Sequence, residues 1–350
     1  MSAPDAGFWR GRRVLVTGHS GFKGAWLCHM LAALGAEVTG IALDPEPGPT
    51  AFVALGVVDV LAADHRADLR DGTTLAHLVR AARPEVVLHL AAQALVGRSH
   101  ADAAGTFASN VTGTIHLLEA LRGLRGVAAA LIVTSDKVYR NDGLGRPFVE
   151  ADALGGEDPY SASKAAAEIA VASWRASFGA SLPPLATARA GNVIGGGDFA
   201  EMRIIPDLVR AQLAGEALVV RQPDATRPFQ HVLDVLRGYL MQAEALAAGT
   251  APPALNFGPR DGEIRVRDLL ENWGDVAWRQ ADGPVMPEAK RLALDSTLAG
   301  RTLGWHPVLD TPRAIAATAA WYAAWRSGAD MARAAGDEIA GILAAPVTAA

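Results

Sequence analysis

Apolar positions along this chain follow two alternating spacings. Val14, Leu15 and Val16 form a short unbroken run that ends at Thr17 and Gly18. Leu27, Met30, Leu31 and Leu34 then recur at i, i+3, i+4 and i+7, and Gly35 follows as a stop. A strand with no polar alternation is buried on both faces, whereas the second spacing is one face of a helix. The alternation repeats. Strands are predicted over "AEVTGIALD", "PEVVLHLAA" and "VAAALIVTS", and helices over "TTLAHLVRAA" and "NVTGTIHLLEALRG". It continues to about residue 190, which predicts an α/β fold: a doubly wound parallel sheet with helices on both faces.

Beyond that point the pattern loosens. "GNVIGGGDFAEMR" reads as loop, "IIPDLVRAQLAG" as a helix, and "LVVRQP" and "ALNFGP" as short strands around the long helix "LDVLRGYLMQAEALAAG". Helices follow from about residue 263, one of them opened by Pro312 near its first turn. The expected division is a dinucleotide-binding domain over 8–190 with a returning segment at about 228–260. A smaller mixed α/β lobe takes 191–227 and 261–332, and an Ala-rich tail over 333–350 is expected to be only partly ordered.

Composition narrows the function classes. Half of the residues are hydrophobic and 20% are charged, as in a globular protein. A net charge of −5 gives no basis for binding nucleic acid or an anionic membrane. The single cysteine, Cys28, excludes an intramolecular disulfide and a multi-cysteine metal site, and its helical setting makes it a core residue. No apolar stretch reaches the roughly 18 residues of a membrane span. The opening "MSAPDAGFWRGRR" lacks the apolar region of a signal peptide, so a cytoplasmic location is expected. No His/Asp/Glu cluster has metal spacing, and no G-x-S-x-G elbow occurs.

Chemistry enters between the first strand and the first helix. "VTGHSGFKG" places Gly18, Gly21 and Gly24 there at G-x-x-G-x-x-G spacing. A tight turn without side chains lets a pyrophosphate approach the backbone, and the helix N-terminus offers unpaired N–H groups, so a Rossmann-type dinucleotide site is predicted. Asp44, at the end of the next strand, suits the ribose hydroxyls and repels a 2′-phosphate, which favours NAD over NADP. Asp68 and Leu69 in "DLRD" are a candidate adenine edge, or a plain solvated turn. In "EDPYSASK", Asp158 reads as an N-cap and Pro159 as the first helical residue, which puts Tyr160 and Lys164 at i, i+4 on one face. A phenol is a poor base at neutral pH, and a neighbouring ammonium is expected to lower its pKa. Finally, "LIVTSDKVYR" ends a core strand in Ser135, Asp136 and Lys137, at the crevice where the cofactor and substrate of an open parallel sheet meet.

These residues together resemble the extended short-chain dehydrogenase/reductase family. "TSDK", "RAGNVIGGGD" and "RPFQHVLDVLRGY" narrow the resemblance to nucleotide-sugar 4,6-dehydratases, most closely those acting on CDP-glucose. "FWRGRRVLVTGHSGFKGAWL", "AAQALV", "LGWHPVLD" and "WRSGADM" are similar as well, so the resemblance covers about residues 8–332. It departs at Val138, where cysteine is frequent, and at Val96–His100. The resemblance implies a tightly held NAD regenerated in each cycle, a CDP-sugar substrate, a homodimer and a place in making deoxysugars for bacterial surface polysaccharide. It extends the cofactor site to Phe22, Ala91, Ala92, Gln93 and Asn110, alongside Tyr160 and Lys164. It implies Tyr160 as the base for the 4-OH, with Ser135 or Thr134 hydrogen-bonding O4. Asp136 would be the acid for the departing 6-OH and Lys137 the group that moves the C5 proton. Asp136 must then be protonated, which burial favours. Gln93, Asn192, Arg203, Arg227 and His231 are candidates for the nucleotide sugar. The arginines could instead be surface ion pairs and His231 a structural histidine. A nucleotide-sugar oxidoreductase or 4-epimerase would use Tyr160 and Lys164 without elimination, and a non-catalytic NAD-binding scaffold would need neither.

Overall fold

The computed structural model describes residues 3–141, 143, 145–274, 276–281 and 292–345. Its centre is a seven-stranded sheet: β1 (Arg13–Thr17), β2 (Glu37–Ala42), β3 (Ala63–Arg66), β4 (Val86–His89), β5 (Ala129–Val133), β6 (Leu185–Ala190) and β7 (Ala254–Phe257). The order across the sheet is 7-6-5-4-1-2-3 and every neighbouring pair is parallel. β4 and β5 are buried along their whole length, as their unbroken apolar runs predict.

Helices cover both faces. On one side Gly72–Ala82, Gly113–Leu121 and Pro159–Phe178 pack over Leu15, Val87, Ala130 and Ile132. On the other, Phe22–Ala33 and the long Val232–Ala247 bury Trp26, Leu27, Leu236 and Leu240 with Trp9 and Trp305. Asp158 caps the Pro159–Phe178 helix as predicted, its carboxylate accepting from the Ser161 N–H at 2.9 Å. Pro312 lies in the first turn of Thr311–Arg326.

After β6 the chain leaves the sheet and returns through the Val232–Ala247 helix to β7. The excursions are fastened by three small ladders: 193–194 with 230–231, 226–227 with 264–265, and 218–220 with 278–280. "RPFQHVLDVLRGY" and "LGWHPVLD" hold one another. Asp234 accepts from the Val308 and Leu309 N–H groups at 2.6 and 3.0 Å, and the Trp305 indole donates to the Asp234 carbonyl. The expectation of a partly ordered tail is corrected over the described part. Met331–Ala344 is a helix, because Met331, Ala335, Ile339 and Ile342 recur at helical spacing and bury one face against the core.

Near the N-terminus, Trp9 Nε1 and the Asp5 N–H both donate to Glu244 Oε1. Burial nevertheless pushes the Glu244 carboxyl from 4.5 up to about 7. A raised carboxyl pKa means that the folded state prefers the protonated form. Stability therefore falls as pH rises from about 4.5 to about 7, and the penalty is complete above that range. Glu244→Gln keeps both acceptor contacts without the charge. It is expected to raise stability at pH 8 by on the order of 2 kcal/mol, with the gain vanishing near pH 4. Thermal melts of both proteins at the two pH values check this.

Candidate active site

The strand order reverses between β1 and β4, so a crevice opens at their C-terminal ends. β1 delivers Gly18 there with φ +79°, and a Cβ on Gly18 would lie 2.6 Å from the Ala91 backbone N. A Cβ on Gly24 would lie 2.1 Å from the Gly18 carbonyl oxygen. Both positions therefore exclude a side chain. Gly21 caps the Phe22–Ala33 helix without any side-chain hydrogen bond, which leaves its first N–H groups for phosphate oxygens. This cradle, closed by Ala91 after β4, fits the pyrophosphate of NAD. Leu69 is buried. Asp68 accepts from Arg70 Nε at 2.8 Å and the Arg70 guanidinium holds its carboxyl below the usual range, so "DLRD" is a structured, charge-paired turn. β2 ends at Ala42, and Asp44 runs on to the rim with its side chain 86% exposed, 3.7 Å from Arg66 Nε.

β5 ends beside this cradle. Ser135 caps a single tight turn over Asp136–Val138, accepting from the Lys137 N–H at 3.2 Å and donating to Asp136 Oδ1 at 2.9 Å. Asp136 is 3% exposed, and its Oδ2 has no hydrogen-bond partner among the described residues. Burial raises its pKa, against the opposing pull of the Lys137 and Lys23 ammonium groups. That is the direction required of an acid that must hold its proton. Of the two hydroxyls considered for O4, Ser135 faces the site. Thr134 is corrected: its hydroxyl turns back to Glu168 Oε1 at 2.6 Å.

Tyr160 and Lys164 share the face predicted, and both are buried. Lys164 Nζ donates to the Val133 carbonyl at 3.2 Å. Burial, and then the charge of Lys23, pull its ammonium down to about 7. The expected lowering of the Tyr160 pKa is corrected. Burial raises it, Asp136 adds to the rise, and the hydrogen-bonding neighbour Ser135 and the cation Arg203 oppose it. The Lys164 ammonium is itself depressed and directed at Val133, so it does little for the phenolate in the protein alone. The Tyr160 N–H donates to Ser99 Oγ at 3.2 Å, so "VGRSH" supports the base from beneath.

Two predicted contacts are internal instead. The Gln93 amide bonds Leu95 on both sides and Thr106 Oγ1 at 3.0 Å, which corrects its assignment to the substrate. It shapes the loop after β4. Asn110 sits in a one-turn π-helix over Ala108–Thr112. It clamps the Gln93 backbone at both N–H and carbonyl and donates to Ser163 Oγ at 2.9 Å, tying the cofactor loop to the Tyr160 helix.

Of the other candidates, Arg203 pairs with Asp198 at 2.9 Å, and its charge reaches both Tyr160 and Lys23. Asn192 lies in the loop after β6, its carbonyl accepting from the Gln230 N–H at 3.0 Å, and Arg227 lies on the 226–227 ladder. His231 is corrected. It is 1% exposed, its Nδ1 caps the Val232–Ala247 helix and its Nε2 is 3.1 Å from Glu338 on the C-terminal helix. Its Nε2 makes no hydrogen bond among the described residues although Glu338 lies near, so of the two readings the packing favours the structural histidine.

Lys23 escaped the sequence reading. It stands between Phe22 and Gly24, and its ammonium lies 3.5 Å from the Tyr239 hydroxyl. Burial, then Arg203, lower it to about 8, while Asp136 opposes. The signal was a lysine inside a glycine turn. Glu168, one turn beyond Lys164, also went unread. It holds Arg189 on β6 at 2.8 Å as well as Thr134 and Thr187.

Among the described residues no metal-ligating cluster occurs, and no helix is long and apolar enough to cross a membrane. The sequence pattern of the NAD dependent epimerase/dehydratase family matches residues 14–258. The chain is 39% identical to a CDP-glucose 4,6-dehydratase of Salmonella typhimurium, over 93% of this chain and 95% of that one. It is 32% identical to a dTDP-glucose 4,6-dehydratase of Streptomyces griseus, over 90% and 95%. Among solved structures, a dTDP-glucose 4,6-dehydratase from Streptomyces venezuelae with NAD and TYD bound superposes with a TM-score of 0.77 at 26% identity, covering 91% of this chain and 99% of that one. With the glycine cradle, the Tyr160–Lys164 helix and these relatives in agreement, this chain belongs to the NAD dependent epimerase/dehydratase family.

Proposed function

We propose that the protein converts CDP-glucose to CDP-4-keto-6-deoxyglucose and water. The fold would serve an epimerase equally well. The observation that carries the elimination is Asp136, a buried carboxyl with a free oxygen next to Lys137, because epimerisation has no hydroxyl to expel. When bound on the cradle of Gly18, Gly21, Phe22, Gly24, Ala91 and Ala92, NAD supplies a hydride acceptor for C4 and a donor for C6. The chain's own groups move the protons. Tyr160 takes the 4-OH proton. The 4-ketone acidifies the C5 proton, which Lys137 in its neutral amine form removes and later returns. Asp136 protonates the departing 6-oxygen. Residues 191–227 and 261–332 hold the nucleotide, with Asn192, Arg203 and Arg227 toward it, since arginine forks suit a diphosphate.

We further propose a homodimer. Phe107 and Ile169 leave large apolar side chains exposed on the packed helices Ala103–Phe107 and Pro159–Phe178, where a second copy would cover them.

The deciding experiment offers the purified protein a panel of NDP-glucoses and looks for 4-keto product. CDP-glucose is expected to be the preferred substrate. Mass analysis of released cofactor is expected to find NAD, and NADP alone would overturn the cofactor reading.

Lys23 makes a separate expectation. Its ammonium holds the Asp136 carboxyl down and pushes the Lys164 ammonium down. Lys23→Met removes both effects, so both groups keep their protons to higher pH. The basic limb of the kcat/KM profile is expected to move to higher pH. An unmoved limb would place Lys23 outside the electrostatics of the site.

A further inference from the structure

Asp136 and Lys137 must reach one sugar together, yet they sit on a single turn of three residues, Asp136–Val138. One buried network grips that turn from both ends. At the leading end the Thr134 N–H donates to the Ala188 carbonyl at 2.9 Å, and its hydroxyl donates to Glu168 Oε1 at 2.6 Å. Glu168 meets Arg189 of β6 fork to fork. Nε donates to Oε1 at 2.9 Å and Nη2 to Oε2 at 2.8 Å, at side-chain exposures of 5% for Arg189 and 4% for Glu168.

At the trailing end the same guanidinium donates through Nη1 to the Tyr139 hydroxyl at 2.7 Å. That hydroxyl donates to Asn256 Oδ1 on β7, also at 2.7 Å. Asn256 is anchored in turn. Its side-chain amide donates to the Phe148 carbonyl and its backbone N–H to Glu150 Oε1, both at 2.9 Å. Burying two charges costs desolvation that their attraction only roughly offsets, so the pair adds little stability over apolar packing. A two-pronged pair fixes direction as well as distance.

We propose that Glu168, Arg189, Tyr139 and Asn256 form a clamp that sets the reach of Asp136 and Lys137 and so governs elimination separately from C4 oxidation. The four are positioning residues, and their role rests on the reading of Asp136 as acid and Lys137 as C5 base. The oxidation half is held by other contacts. Lys164 is fixed by the Val133 carbonyl, the Tyr160 N–H by Ser99, and the cofactor cradle by backbone around Gly18 and Gly24. Slackening the trailing end therefore shifts the turn against a stationary Tyr160. Glu168 lies one turn from Lys164 on the same helix, so its replacement would disturb both halves. Tyr139 is the place to cut.

Tyr139→Phe keeps the ring stacked on Phe148, whose centroid is 4.9 Å away, and removes the link between Arg189 and Asn256. The holoenzyme is given CDP-glucose in heavy water. Formation of reduced nicotinamide is read by absorbance and loss of the C5 hydrogen by mass. C5 exchange is expected to fall by about 10-fold or more while C4 oxidation stays within about 3-fold of the parent, because a displacement on the order of 1 Å suffices for such a loss. Reduced nicotinamide should then accumulate. Asn256→Ala cuts the same link from a position 117 residues along the chain. It should change the ratio in the same direction, and it carries the test if Tyr139→Phe does not fold. A network serving stability alone predicts a lower melting temperature with both rates falling together. That result, or the parent's ratio in either folded variant, would overturn the clamp while leaving the elimination reading intact. A parent that forms no 4-keto product overturns the acid–base reading itself and the clamp with it, and needs no variant to be seen.

Discussion

Tyr160→Phe is expected to fold, bind NAD and lose about 10²–10⁴-fold in turnover, the usual effect of removing a general base. The ring is buried, and the backbone contact to Ser99 does not involve the hydroxyl, so phenylalanine preserves the packing. The loss should fall on kcat, because the phenol acts on the 4-OH during reaction and contributes little to holding the nucleotide. Burial keeps the phenol above its ordinary pKa in the protein alone. The parent should therefore gain activity as pH rises on the acidic side, and the variant's residual rate should lack that limb. Steady-state kinetics across pH, with circular dichroism as the control for folding, check both points. Near-normal turnover in the variant would remove Tyr160 from the mechanism.

The sheet was legible because burial on both faces leaves an unbroken apolar run, as in Val86–His89 and Ala129–Val133. β3 shows the limit. Its residues, Ala-Asp-His-Arg, carry no apolar run. It is an edge strand whose side chains are only partly buried, and it is held by backbone pairing to β2. The cradle was legible for a similar reason: Gly18 and Gly24 exclude a Cβ by backbone contacts close in sequence or forced by strand order.

The direction in which a polar side chain points was much less legible. Thr134 and Ser135 are adjacent at the end of one strand and face opposite ways, one to Glu168 and one to Asp136. Only the positions of Glu168 and Arg189, 34 and 55 residues along the chain, decide which is which. His231 likewise stood open between ligand and structural histidine until the C-terminal helix placed Glu338 near its Nε2. Lys23 acquires its surroundings only when the chain after β6 places Tyr239 and Arg203 around it. Each of these depends on long-range packing that local spacing does not encode.

Lys137→Ala is expected to divide the reaction. Tyr160, Lys164 and the cofactor cradle remain, so C4 can still be oxidised. With substrate in excess, reduced nicotinamide should accumulate and show as absorbance, while exchange of the C5 hydrogen with heavy water falls by about 10²-fold or more. Asp136→Asn should behave differently. It removes the acid and leaves Lys137 in place, so C5 exchange persists in part while loss of the 6-OH slows. Two features of the site make the contrast informative. Asp136 Oδ1 is engaged by Ser135 while Oδ2 is free, so no ion pair locks the carboxylate to its neighbour. The Lys137 charge also lowers the Asp136 pKa. Lys137→Ala should therefore leave Asp136 more firmly protonated and competent as an acid, so the block must arise at C5. Groups that act as a unit do not give additive losses, and total rate alone would confuse these adjacent residues. If Lys137→Ala exchanges the C5 hydrogen at the parent rate, Lys137 is not the base. The remaining cation facing Asp136 is Lys23, whose ammonium, lowered to about 8, releases its proton more readily than an ordinary lysine. Exchange measured in Lys23→Met would then test that group directly.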